Sequence, residues 1–264
     1  MNGAYLLHCS LCFRAALSQR AAAVAGMLTQ LAFGELRIQV LSACYALGVA
    51  APGMPRAAAM DYIWLGQAFL RLVPMRPDED LADAMRTGAL ANDLCRPVDA
   101  YWWWWSRAVG RLAAPTLLRC VPLILICFAL GVLRPPQSLG CALASLDMLV
   151  LALLVSATIR VALALIGDWG GGANATATLG MPVIWMLAGI VVPLPLFPPA
   201  VQHVIGILPF RALLDSPLRA WSGDLHGPAL GWAMLHQVVW LVVLVGFGRL
   251  LTRRGLARLT VQGG

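Results

Sequence analysis

Six apolar runs, separated by polar breaks, follow one another along the 264 residues of the chain. They fall at about 27–49, 58–73, 112–133, 139–166, 179–196 and 229–251. A helix needs about 20 mostly apolar residues to cross the hydrocarbon layer. The runs therefore predict six transmembrane helices, the second of them short. Ahead of them, residues 4–26 predict an amphipathic N-terminal interfacial helix with Arg14, Gln19 and Arg20 on its wet side. The expected fold is an all-α integral membrane protein with a single transmembrane domain over residues 1–264. No length is left for a soluble domain.

The longest polar interruption runs from Pro74 to Gly110. Arg71, Arg76, Arg86, Arg96, Arg107 and Arg111 lie at or inside its edges, with Asp78, Glu79, Asp80, Asp83, Asp93 and Asp99 between them. Asp78 is placed to cap a helix whose first turn is acidic, which suits the positive end of the helix dipole. Leu81, Ala82, Ala84 and Met85 give that helix an apolar side, and Gly88 is placed to end it. A second short helix over Ala89–Cys95 must stop before Pro97. Trp102, Trp103, Trp104 and Trp105 follow, and such rings favour the water–lipid boundary. The stretch predicts a helical elbow on the cytoplasmic face, offered to something outside the bilayer.

Prolines punctuate the rest. Pro115 and Pro122 are expected to kink the third span. Pro52, Gly53 and Pro55 mark an outer loop over 50–57, and Arg134–Ser138 an outer turn. The fifth span is expected to break at Pro193, Pro195, Pro198 and Pro199. Two short outer helices, Ala200–Leu208 and Phe210–Ser222, are expected to be broken at Pro209 and Pro217. The inner loop over 168–178 is glycine-rich and is expected to be flexible. It is not a phosphate-binding loop, since no strand precedes it and no lysine follows.

Composition and charge set the class and the orientation. Hydrophobic residues make up 60% of the chain and charged ones 12%, against about 25% charged in soluble domains. The net charge of +7 is explained by the positive-inside rule and not by nucleic acid. With the N-terminus inside, Arg14, Arg20, Arg71, Arg76, Arg86, Arg96, Arg107, Arg111, Arg160, Arg249, Arg253, Arg254 and Arg258 are cytoplasmic. Only Arg56, Arg134, Arg211 and Arg219 are outside. Both termini are thus expected in the cytoplasm. Arg14 and Arg20 interrupt the first apolar stretch, so no cleavable signal is expected. The seven cysteines read as small buried hydrophobes; Cys9 and Cys12 have metal spacing but no second pair, and no metal site is expected.

Candidate chemistry is sparse. Glu35, Arg37 and Asp147 sit inside predicted spans, where polar groups are costly and mark ion pairs or a polar pathway. Glu35 and Arg37 cannot pair on one helix, being two residues apart. Arg37 is expected to find Asp147 or another subunit, and Glu35 to find Arg119 or Arg160. The four histidines lack metal-ligand spacing. Asp215 and Asp224 with His203 and His226 form the one conceivable catalytic patch, and a solvated re-entrant lid explains them as well. No nucleotide-binding lysine motif exists.

Read together, the elbow and the end of the chain resemble the permease subunits of ABC-2-type exporters, in particular the small six-span permeases of that family. Met85-Arg86-Thr87-Gly88 followed by Leu94-Cys95-Arg96-Pro97-Val98-Asp99 is similar to the family's cytoplasmic signature. Pro193–Pro198, Leu208–Phe210, Asp215–Gly223 and Val261–Gly264 add to the likeness; Cys95 stands where the family often has leucine. The resemblance implies a multi-pass protein of the bacterial inner membrane, coupled to a separate ABC ATPase in two copies that holds ATP and Mg. It implies no cofactor in this chain, and a second permease, identical or related, beside membrane lipid. It implies that Asp78, Glu79, Asp80, Asp83, Arg86, Thr87, Gly88, Arg96 and Pro97 couple to the ATPase, and that the four tryptophans anchor the elbow. Pro193, Pro195, Pro209 and Phe210 would form the outer gate. A membrane-embedded enzyme and a scaffold of a secretion complex are the alternatives.

Overall fold

A computed structural model of the chain describes residues 3–48, 54–169 and 182–257, and every regular element among them is helical. In chain order these are α1 (Gly3–Leu17), α2 (Arg20–Ala46), α3 (Arg56–Ala68), α4 (Glu79–Thr87), α5 (Leu90–Leu94), α6 (Ala100–Ala129), α7 (Leu139–Trp169), α8 (182–187), α9 (Pro199–Ile207), α10 (Asp215–Trp221) and α11 (Gly227–Leu256). Single 3₁₀ turns at Leu70–Leu72, Leu194–Leu196 and Pro209–Ala212 link them. The inner loop from residue 170 on, the start of the fifth run, residues 49–53 of the outer loop and the tail from Arg258 lie outside the described residues.

Among the described residues three helices are long and apolar enough to cross a membrane: α6, α7 and α11. Each has 30 or 31 residues, or roughly 45 Å at 1.5 Å per residue, against a hydrocarbon layer of about 30 Å. The other predicted spans differ. α2 begins at Arg20, well before the predicted start. α3 has only 13 residues before the chain tightens at Leu70–Leu72. The described part of the fifth run is helical only over 182–187 and leaves the helix at Gly189, which takes a φ of 81°, before the prolines are reached.

The N-terminal segment is two helices and not one. The chain turns at Ser18 and Gln19, where successive backbone N–H groups close back on Ala15, Ala16 and Ser18. α1 then lies along α6. At Gly110 of α6 a Cβ would collide with the Cys9 carbonyl of α1, so the two backbones meet where there is no side chain. Leu6, Leu7 and Leu11 stay on the exposed face of α1.

α6 and α7 run antiparallel and divide the interior into two ends. At one end, which we call the outer end, α3, the far half of α6, the start of α7 and the Pro209–Trp221 region enclose a core that includes Trp64, Leu65, Leu123, Leu149, Leu213 and Leu218. At the other end α4 and α5 fold against the start of α6 and the last turns of α7, around Leu81, Leu90, Trp104, Trp105, Val161 and Leu165. Pro115 and Pro122 lie inside α6, which continues through both. Pro217 does not break a helix: it is the third residue of α10, where its missing N–H has no partner to lose. Along α11, Val242, Val243, Phe247 and Leu250 are exposed, the pattern of a helix whose neighbour is lipid or another chain.

Candidate functional site

The elbow is built by local signals that the structure realises. The Asp78 carboxylate accepts from the Leu81 N–H at 2.9 Å, which caps α4 at its electropositive end. Gly88 closes α4 in the left-handed region, φ 76°, where a side chain costs about 1–2 kcal/mol. Leu81 and Leu90 point inward and are buried.

Charge then fastens this unit to the long helices. Arg107, on α6 and 15% exposed, stands 3.7 Å from Asp78 and 3.8 Å from Asp93. These are charge contacts, longer than hydrogen bonds, but the same guanidinium serves both elbow helices. Arg111 pairs with Asp80. The Asp78 N–H donates to the Arg160 carbonyl of α7 at 3.1 Å.

What remains on the outer face of the elbow is polar. Glu79 pairs with Arg76 at 3.0 Å, and Asp83 with Arg86. The Thr87 hydroxyl donates to the Asp83 carbonyl at 2.8 Å. Arg96 and Pro97 are exposed beyond α5. The nine elbow residues thus divide: Asp78, Asp80 and Gly88 build and hold the unit, while Glu79, Asp83, Arg86, Thr87, Arg96 and Pro97 are exposed.

The tryptophan run forms the first turns of α6. At 3.6 residues per turn, four consecutive rings fan around the whole helix and meet four neighbours. Trp102 lies near Arg249 of α11 at 5.9 Å. Trp103 stacks on His8 at 3.5 Å and lies under Arg96 at 4.8 Å. Trp104 donates to Asp93 at 3.1 Å, and Trp105 to Thr158 of α7 at 2.9 Å. Trp104 and Trp105 are buried, so protein and not the lipid boundary surrounds those two rings. Trp102 and Trp103 are half-buried. Periodicity along the helix, which the reading by residue type passed over, is the signal that separates them.

Among the described residues, the polar groups expected inside spans do not find the partners expected within the chain. Glu35 is exposed and accepts from Gln39 on its own helix at 2.5 Å. Asp147 is exposed on α7, and neither it, Glu35 nor Arg37 forms an ion pair among the described residues. Arg119 instead reaches the Ala22 carbonyl at 3.3 Å. Arg37 borders an apolar groove of about 410 Å³ together with Pro193 and Leu196, so one candidate pathway residue and one candidate gate residue share a wall. Pro195 lines a separate small recess with Arg211, Asp215 and Arg219. Pro209 is buried and Phe210 packs on the outer core.

The outer acid and histidine groups do not assemble into a catalytic patch. Asp215 is buried, accepts from the Tyr62 hydroxyl at 3.2 Å and stands 3.8 Å from Arg211 and from Arg219. Burial pushes its carboxyl above the ordinary range, against the pull of the Arg219 and Arg211 guanidinium groups. His203 and His226 bond to the nearby carbonyls of Pro199 and Gly223. No cluster of metal-binding side chains occurs among the described residues.

A family model described as ABC-2 family transporter protein matches residues 63–263. Neither curated proteins nor solved structures give a match. The matched region takes in the elbow and all three long apolar helices, and leaves out α1 and α2. With well over half of its length covered, this chain, a multi-pass permease component, belongs to the ABC-2 family of transporter proteins.

Proposed function

We propose that the chain is the membrane-spanning subunit of an ATP-binding cassette exporter of the bacterial inner membrane, and that its elbow is the coupling helix on which a separate ATPase acts. One observation carries the reading: α4 is fastened to α6 and α7 while its charged outer face is left free. A rigid-body motion of a partner is transmitted only through an element that does not yield. Buried Leu81, the Arg107 contacts and the Asp78–Arg160 backbone bond supply that stiffness. Glu79, Asp83, Arg86, Thr87, Arg96 and Pro97 then meet the ATPase, with Trp102 and Trp103 near the boundary.

In this reading two permeases, identical or related, enclose the pathway above two ATPase copies, which hold the ATP and Mg. The exposed faces of α2 and α11 meet lipid or the second permease. Six crossings result if α2, α3 with its following turn, and the 179–196 run add to the three long helices, with both termini cytoplasmic. Glu35, Arg37 and Asp147, which form no ion pair among the described residues, belong to the pathway or to the second permease. Pro193, Pro195, Pro209 and Phe210 shape the outer gate.

The test is reconstitution with the partner ATPase. Arg86→Ala and Gly88→Val are expected to abolish transport and permease-stimulated ATP hydrolysis while membrane insertion is unchanged. Normal transport by either variant would contradict the coupling role.

A further inference from the structure

A recess of about 710 Å³ opens at the elbow end, between the α1–α2 junction, the segment ahead of α4, and the facing sides of α6 and α7. Five arginines line it: Arg71, Arg76, Arg111, Arg119 and Arg160. Two of them are neutralised, Arg76 by Glu79 and Arg111 by Asp80. The remaining carboxylate of the recess, Asp78, is committed to Arg107 and to the Leu81 N–H. Arg71, Arg119 and Arg160 form no ion pair within 4 Å among the described residues; Glu79 acts on Arg71, and Asp78 and Glu79 on Arg160, only from farther off.

These three side chains come from three separate elements and converge. Each has a buried Nε that makes no hydrogen bond. The bonds they do form go to backbone carbonyls, from Arg119 to Ala22 at 3.3 Å and from Arg160 to Arg71 at 3.5 Å. α2 leaves room for one of them: a Cβ at Gly26 would collide with the Arg119 guanidinium. Arginine stays charged at any ordinary pH, and buried donors without partners are costly. The nearby carboxylates, Asp78 and Glu79, are engaged by Arg107 and Arg76, so three cations on one wall without a paired counter-charge describe a site made for an anion.

We propose that this recess is a phosphate-binding site, occupied by the headgroup of an anionic membrane lipid or by a soluble phosphate. Guanidinium forks match phosphate oxygens two at a time, and the oxygens of one phosphate serve several forks at once. Basic recesses between membrane helices are where anionic headgroups are held. Leu112 and Pro115 make part of the wall apolar, as an amphiphile requires. The volume lies within the roughly 300–1,000 Å³ of small-ligand sites. The recess borders the elbow at Asp78, Glu79 and Asp80, but the proposal rests on Arg71, Arg119 and Arg160, none of which the coupling reading assigns to the ATPase.

The test uses the purified full-length protein in nanodiscs of phosphatidylcholine, of phosphatidylcholine with phosphatidylglycerol, and of phosphatidylcholine with added inorganic phosphate against chloride of equal ionic strength. Thermal unfolding is read for the wild type, the double variant Arg71→Gln/Arg119→Gln, and Arg134→Gln at the outer end as a control. Stabilisation of wild type and control by phosphatidylglycerol, at least halved in the double variant, supports the site and assigns it to lipid. The same pattern with inorganic phosphate assigns it to a soluble anion. Should the double variant fail to fold, Gly26→Leu, which crowds Arg119 without changing charge, is expected to weaken the response likewise. A wild type indifferent to both anions, or variants that respond in full, would overturn the proposal.

Discussion

The backbone N–H of Asp78 donates to the carbonyl of Arg160 at 3.1 Å, so the residue that caps the elbow helix is bonded directly to a membrane-crossing helix. The Asp78 side chain meanwhile serves the Leu81 N–H and the Arg107 charge. One residue thus starts α4, holds it to α6 and joins it to α7. A push on α4 reaches two long helices without passing through a loop, and the predictions below separate that mechanical role from the contact role of the outer face.

Arg107→Gln removes the cation shared by Asp78 and Asp93. Breaking a largely buried ion pair by losing one partner costs about 3–5 kcal/mol. Hydrogen exchange over residues 79–95 is expected to quicken markedly, while the middle of α7 keeps its protection. Unchanged exchange in the elbow would show that the other contacts suffice.

Leu81→Ala leaves a void under α4, where Leu81 is fully enclosed. Core truncations of this kind cost about 2–5 kcal/mol. The thermal midpoint of the detergent-solubilised protein is expected to fall, and transport to fall with it through loss of stiffness.

Arg86→Ala is the contrasting case. Its pair with Asp83 is exposed on both sides, and such pairs contribute about 0–1 kcal/mol. Stability is expected to stay within that margin while affinity for the ATPase drops at least tenfold in a pull-down titration. Equal binding by wild type and variant would remove Arg86 from the interface.

Asp215 predicts a pH dependence at the outer end. Its carboxyl titrates above the ordinary aspartate value of about 3.9, because burial outweighs the nearby Arg219 and Arg211. A raised folded value gives stability that is complete below the ordinary value and lost as pH rises through the raised one. The thermal midpoint of wild type relative to Asp215→Asn is therefore expected to improve as pH is lowered from 7 toward 4. An advantage that instead grows with rising pH would contradict the burial argument.

Local chemistry makes the elbow legible in the sequence. An aspartate, an acidic turn, apolar positions at helical spacing and a glycine define α4, and each acts within a few residues of itself. What was not legible depends on neighbours distant in the chain. The turn at Ser18–Gln19 follows from α1 lying along α6 at Gly110, which no local pattern announces. Pro217 was read as a breaker because proline breaks helix interiors, yet its place in the first turn of α10 makes it harmless. The tryptophans were read by residue type, and their angular spread on α6 assigns each to a different partner. Arg71, Arg119 and Arg160 stand far apart in sequence and meet only because α6 and α7 pass beside the 3₁₀ turn at Leu70–Leu72.

The side of the membrane on which the elbow lies decides the account. Cys95 is a free, exposed thiol at the end of α5, beside the proposed ATPase contacts. An impermeant maleimide, with labelling at Cys95 read by peptide mass spectrometry, is expected to leave it unmodified in intact cells and to modify it in inverted vesicles, less so once the ATPase is bound. Full labelling of Cys95 in intact cells would place the elbow outside and end the coupling account.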